Sequence, residues 1–75
     1  MNEWQHEKYR LLGLNIAYYR RLRGYTQEKL AELAGVERIT IGKLETAMVG
    51  ASLDTIFDIA DALELEPVKL FDFRR

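Results

Sequence analysis

Residues 26–45 constrain the fold of this chain more than any other stretch of comparable length. Gly35 divides the stretch, because a residue without a β-carbon readily takes the positive φ that ends a helix. Ala31, which precedes it, is small enough to let a second helix approach closely. The pattern predicts two short amphipathic helices that cross over one small core. Apolar residues recur at helical spacing on both sides of the glycine, at Leu30, Ala34, Val36, Ile41 and Leu44.

Two short helices joined in this way are typical of a helix-turn-helix, whose second helix enters the major groove of DNA. Three blocks of sequence extend this interpretation beyond the turn. They are NIAYYR at 15–20, the stretch 26–45 itself, and SLDTI at 52–56 followed by ADAL at 60–63 and LF at 70–71. On these blocks, residues 12–71 resemble the Cro/lambda-repressor-like (XRE-type) helix-turn-helix family. The resemblance implies a compact five-helix domain that usually binds operator DNA as a dimer.

Helix signals along the whole chain predict an all-α fold with a single domain over residues 1–75. Thr26 and Ser52 are good N-cap residues, and Gly24 ends the first helix. Pro67 suits the first turn of the last helix. The predicted helices are residues 5–23, 27–34, 38–46 and 53–64, with a short fifth helix from 67 to about 72.

Three expectations concern packing within these helices. Gly13 lies inside the first helix, where glycine costs about 1 kcal/mol relative to alanine, so it weakens the early turns. In the fourth helix the apolar stripe is predicted to comprise Leu53, Ile56, Phe57, Ala60 and Leu63. Five aromatic residues are assigned to packing rather than to stacking on bases: Tyr18, Tyr19, Tyr25, Phe57 and Phe71.

The composition argues against several classes of function. The chain has no cysteine and one histidine, so neither a disulfide nor a zinc cluster is expected, and no cofactor is predicted. It has no catalytic triad and no Gly-rich phosphate loop, which argues against an enzyme or a small-molecule site. No apolar leader is present, and no run approaches the roughly 18 residues of a membrane span. A non-enzymatic cytoplasmic protein is therefore expected.

Charge is distributed unevenly along the chain. The net charge is −1, yet residues 8–43 carry eight Lys and Arg against three Glu. From residue 51 onward there are three Lys and Arg against six Asp and Glu. A domain polarised in this way can present its basic end to phosphate groups and keep its acidic end away from them.

The side of the third helix opposite its core residues is available to DNA. Arg38 can pair with guanine, Ile39 can pack on a thymine methyl group, and Lys43 can reach a guanine or a phosphate. The resemblance implies the same three positions as base contacts and Gln27 as a phosphate contact. The predicted DNA-binding set is Gln27, Arg38, Ile39, Thr40, Lys43 and Thr46.

On a helical wheel of the third helix, Glu45 lies on the buried side, where a carboxylate needs a partner. The resemblance implies Arg20 of the first helix as that partner. A salt bridge between Arg20 and Glu45 is therefore predicted beneath the third helix.

The loop after the third helix leaves a second function open. Residues 48–51 carry no basic side chain, so the affinity for phosphate is expected to be modest. This apolar loop, the acidic balance and an outward Ile39 also suit a helix-turn-helix that binds another protein, such as an antitoxin-like or adaptor protein. A DNA-binding transcriptional regulator is the first hypothesis, and the interaction module is its alternative.

A homodimer is expected, because one short recognition helix contacts too few base pairs for useful specificity. The predicted surface is built from the fourth and fifth helices and their flanks. Its candidate residues are Trp4, Leu65, Phe71 and Phe73.

Overall fold

Five helices form the fold across residues 2–74, the part of the chain that the computed structural model describes. They are α1 (Glu3–Leu22), α2 (Gln27–Ala34), α3 (Arg38–Glu45), α4 (Leu53–Ala62) and α5 (Pro67–Leu70). The predicted all-α, five-helix architecture is confirmed. Met1 and Arg75, the ends of the predicted domain, lie outside the described residues. None of the described helices is long and apolar enough to cross a membrane.

The helix ends are set by local capping. Thr26 caps α2 and Ser52 caps α4, each through a side-chain oxygen that accepts a backbone N–H three residues later. The first helix begins at Glu3 rather than near residue 5, because Asn2 and Gln5 form a reciprocal capping box. It continues through Gly13 without interruption, so the predicted weakness of its early turns does not break the helix.

The core lies where α1, α2, α3 and α4 converge, and it is closed by Leu70 of α5. In α4 the buried residues are Ile56, Ile59 and Ala60, with Leu63 buried just after the helix. The prediction that Leu53 and Phe57 belong to this stripe is wrong, since they are 60% and 44% exposed. The buried residues follow the i, i+3, i+4, i+7 spacing of one helix face, and this face packs on the core. Leu53 and Phe57 belong to the neighbouring row, which therefore faces solvent.

The assignment of all five aromatic residues to packing also needs correction. Tyr19 and Tyr25 are half-buried against the core, as predicted. Tyr18, Phe57 and Phe71 are instead exposed on the surface. Long aromatic side chains at the edge of a small core remain partly in water, because 75 residues bury only a limited area.

Asn15 fastens α1 to the C-terminal end of the fold. Its buried side-chain amide donates to the carbonyl oxygen of Leu70 at 2.9 Å and to that of Asp72 at 3.0 Å. A buried amide that is satisfied in this way fixes the position of α5 on α1.

Glu64 gives a first testable prediction, because it adopts a positive φ of 57° just after α4. A left-handed conformation costs a residue with a β-carbon roughly 1–2 kcal/mol, whereas glycine tolerates it. The Glu64 side chain is 71% exposed, so its ion pair with Arg23 stabilises the fold little. Glu64→Gly should therefore raise the free energy of unfolding by about 0.5–1 kcal/mol, measured by urea denaturation.

Glu64→Ala is the matched control, because it removes the ion pair and keeps the β-carbon. It should leave the urea midpoint nearly unchanged. Equal midpoints for the glycine and alanine variants would show that backbone strain at residue 64 does not limit stability.

Candidate nucleic-acid interface

The unit formed by α2, the turn and α3 is built from local signals in the sequence. Thr26 Oγ1 accepts the Lys29 N–H at 3.0 Å, which starts α2. Gly35 ends it in the left-handed region with φ 74°. The N–H of Val36 then donates to the Ala31 carbonyl at 3.0 Å, which completes a C-terminal cap. Ala31 itself is 3% exposed, so its small side chain lies inside the packing of the unit.

The α3 helix presents a distinct outer face. Ile41 and Leu44 are 0% and 2% exposed and fix its inner side. Arg38, Ile39 and Lys43 are exposed on the remaining surface. Within residues 2–74, no ion pair engages Arg38 or Lys43. The two cations are thus presented to solvent on a helix whose orientation is set by its buried side.

The other three residues of the predicted set are more constrained. Thr40 is half-buried at the flank of α3. Thr46 is exposed and lies one residue beyond α3, where its hydroxyl donates to the Gly42 carbonyl at 2.9 Å. Its hydroxyl proton is therefore used within the helix, and its oxygen remains available as an acceptor. Gln27 lies at the first residue of α2 and is half-buried.

A buried polar network anchors the end of α3. Arg20 Nε donates to Glu45 Oε2 at 2.7 Å, and Nη2 donates to Oε1 at 3.2 Å. Arg20 Nη1 also donates to the Tyr25 carbonyl at 2.7 Å. The structure thus contains the ion pair expected between Arg20 and Glu45, with side chains that are only 11% and 5% exposed. This forked geometry ties α1 to the last residue of α3.

Gln27 adds a contact to this network that sequence reasoning missed. Its Nε2 donates to Glu45 Oε1 at 3.0 Å, so the network joins α1, α2 and α3. A side-chain amide carries two N–H donors, and this bond uses one of them. Glu45 therefore holds the Gln27 amide in a defined position beside α3.

Gly13 is the second residue whose role was missed. A β-carbon at this position would overlap the Leu44 carbonyl oxygen and would lie 2.8 Å from that of Glu45. The α1 backbone therefore lies directly against the end of α3. The available signal was the glycine itself, since a glycine that a helix keeps despite its cost often has a packing reason.

The loop after α3 is ordered by the fold rather than by charge. Ala47 is 5% exposed with φ 58°, and the Met48 N–H donates to the Lys43 carbonyl at 2.8 Å. The Tyr9 hydroxyl lies 3.0 Å from the position of a β-carbon on Gly50. Met48 is 70% exposed, and no basic side chain accompanies it between residues 47 and 51.

Comparison with known proteins assigns this geometry to a class. The Helix-turn-helix family model matches residues 16–70. The control protein C.SmaI from Serratia marcescens is 35% identical over 60 residues, which span 80% of this chain and 71% of that protein.

Solved structures agree with this match. The restriction-modification controller protein C.AhdI from Aeromonas hydrophila is 35% identical, with a TM-score of 0.83 over 84% of this chain and 96% of that one. A hypothetical transcription factor, NHTF from Neisseria, is 26% identical, with a TM-score of 0.82 over 85% of this chain and 74% of that one.

The fold and its outward-facing third helix define a helix-turn-helix regulator of the DNA-binding class. The chain belongs to the Helix-turn-helix family in its XRE-type form. This family relation places it among regulators rather than enzymes, and it favours DNA over the alternative of a module that binds only protein.

Proposed function

We propose that this chain is a transcriptional regulator of the controller type, acting in the cytoplasm as a homodimer on operator DNA. The proposal rests on the outer face of α3, where Arg38, Ile39 and Lys43 are exposed on a helix anchored by a buried ion pair. Such a helix enters the major groove as one rigid body. The likeness to C.SmaI and C.AhdI supports the further proposal that it controls genes of a restriction-modification system.

The residues of the interface have different roles in DNA binding. Arg38 pairs with guanine through two N–H groups, and Ile39 packs against a thymine methyl group. Lys43 reaches a guanine or a phosphate. Gln27 donates its free N–H to a phosphate, beside the N-terminal amides of α2. Thr40 donates its hydroxyl to a phosphate at the edge of the groove. Thr46 does the same once its hydroxyl rotates away from the Gly42 carbonyl.

Arg38→Ala tests the base-reading role. On a site selected from random duplexes, it should weaken binding by about 1–3 kcal/mol and relax the preference at one base pair. Gln27→Ala should instead weaken all duplexes about equally, because phosphate contacts carry no sequence information. The two bonds from Arg20 to Glu45 still hold α3 in place in this variant. Fluorescence anisotropy on selected and scrambled duplexes separates the two effects.

Arg74→Ala is the charge-matched control, since it also removes one exposed cation but lies beyond α5. It should leave the base preference intact. If Arg38→Ala preserves both affinity and preference, the outer face of α3 is not the reading surface. If the parent protein binds no duplex at low salt, the protein-interaction alternative becomes the better explanation.

The dimer surface is proposed around α4 and α5, as the sequence suggests. Phe71 is 40% exposed and contacts Phe73 edge to face, with ring centroids 6.4 Å apart. Both rings line an apolar cleft between α1 and α4, with Leu53 on its edge. Trp4 and Val68 are exposed, at 77% and 67%. Leu65 is half-buried and contributes less surface. An apolar surface of this kind is typical of an interface between copies.

Phe71→Glu should convert the dimer into a monomer, because it places a charge on this apolar surface. Sedimentation velocity would measure the change, and circular dichroism would show that the helices persist. Leu33→Glu, on an exposed leucine of α2, is the control and should remain dimeric. A parent protein that stays monomeric and binds a palindromic duplex one to one would contradict the dimer.

A further inference from the structure

An apolar stripe runs along the outside of α1, away from the core. Leu14, Tyr18 and Leu22 are 43%, 58% and 68% exposed. Their spacing of four residues places them on one face of the helix, over about 12 Å. They line a shallow concavity together with Arg21. Single exposed apolar residues are common, but three in register form a continuous surface.

This stripe is separate from both contacts proposed above. The opposite side of α1 is occupied by Ile16, which is fully buried, and by Arg20, which binds Glu45. The side chains that line the apolar cleft of the proposed dimer surface lie at other positions of α1, including Tyr9 and Leu12. A dimer bound to DNA would therefore leave Leu14, Tyr18 and Leu22 uncovered.

The charge around the stripe is positive. Arg21 lines the same concavity as the stripe, and no ion pair among residues 2–74 engages that side chain. Tyr18 also borders a second cleft, which contains Lys69, Asp72 and Arg74. Hydrogen bonds from Arg74 hold the pKa of Asp72 well below its usual range, so Asp72 stays ionised and neutralises Arg74. Lys69 and Arg21 remain as the net charge on either side of Tyr18.

We propose that the Leu14–Tyr18–Leu22 stripe binds an amphipathic helix of another protein, one with acidic residues beside its apolar face. Helices pack through residues three and four apart, so a second helix can lay its apolar row along these three side chains. Acidic side chains on its flanks would meet Arg21 and Lys69. This charge complementarity selects an acidic helix over a basic one. The apolar row of Leu14, Tyr18 and Leu22 argues against DNA, whose charged backbone offers no apolar face to pack against it.

Nuclear magnetic resonance titration of the full ¹⁵N-labelled chain tests the proposal. The probe is a synthetic helical peptide with leucines at four-residue spacing and glutamates on both flanks. Saturable shifts should be confined to amides near Leu14, Tyr18 and Leu22. A peptide with lysines in place of the glutamates should bind at least about tenfold more weakly. Tyr18→Ser should weaken binding of the acidic peptide by a similar factor, about tenfold.

Leu33→Ser provides the control, because Leu33 is also exposed but lies on α2. It should bind the acidic peptide like the parent. Equal affinity for both peptides, no saturable shift, or an unchanged affinity in Tyr18→Ser would each overturn the proposal. Shifts of the stripe on raising the protein concentration alone would assign it to a second copy, and shifts on adding duplex would assign it to DNA. Either result would likewise overturn the acidic partner.

Discussion

Gly13→Ala should lower the free energy of unfolding by about 3 kcal/mol, although alanine is the better helix former. The added methyl group would overlap the Leu44 carbonyl oxygen and crowd that of Glu45. Backbone atoms cannot rotate away as a side chain can. The variant must therefore separate α1 from the end of α3, which also strains the ion pair between Arg20 and Glu45.

Gly42→Ala is the matched control for this prediction, since it makes the same substitution inside another helix. There a β-carbon would meet only Gln27 Oε1, at an ordinary contact distance of 3.6 Å. It should raise stability by up to about 1 kcal/mol through helix propensity. Urea denaturation followed by circular dichroism compares the two variants with the parent. If Gly13→Ala leaves the midpoint unchanged or raises it, the contact between α1 and α3 is less close than described.

The helix-turn-helix unit was predictable because its signals are local. Thr26 and Gly35 act on their immediate neighbours, and the predicted bounds of α2 match the structure at both ends. The outer face of α3 followed from the same periodicity, since Ile41 and Leu44 leave only one side for solvent. The roles of Arg38 and Lys43 on that face are proposals that duplex binding by the variants tests.

Features that depend on packing between distant residues were less accessible. In α4, a helical wheel offers two adjacent apolar rows, and only the position of the other helices selects Ile59 over Phe57. From the sequence alone, Gly13 predicts a weak helix. Its second role depends on the end of α3, which packs directly against it. The bond from Gln27 to Glu45 joins residues 18 positions apart, and no local pattern encodes it.

Glu45→Ala should be the most damaging change in the buried network, lowering the free energy of unfolding by about 3–5 kcal/mol. Glu45 accepts three hydrogen bonds, two from Arg20 and one from Gln27. Its removal leaves the Arg20 guanidinium, whose side chain is 11% exposed, with only the Tyr25 carbonyl as a partner. A buried charge without its counter-ion is far more costly than the absence of both charges.

Two companion variants separate this cause from a simple loss of contacts. Arg20→Met combined with Glu45→Leu removes both charges and should be more stable than Glu45→Ala alone. Glu7→Ala disrupts an exposed pair with Arg10 and should change the urea midpoint little. If Glu45→Ala unfolds at the midpoint of the parent, the network does not anchor α3. Because this network sets the position of α3 in the proposed interface, Glu45→Ala should also weaken binding to the selected duplex at temperatures where the variant is still folded.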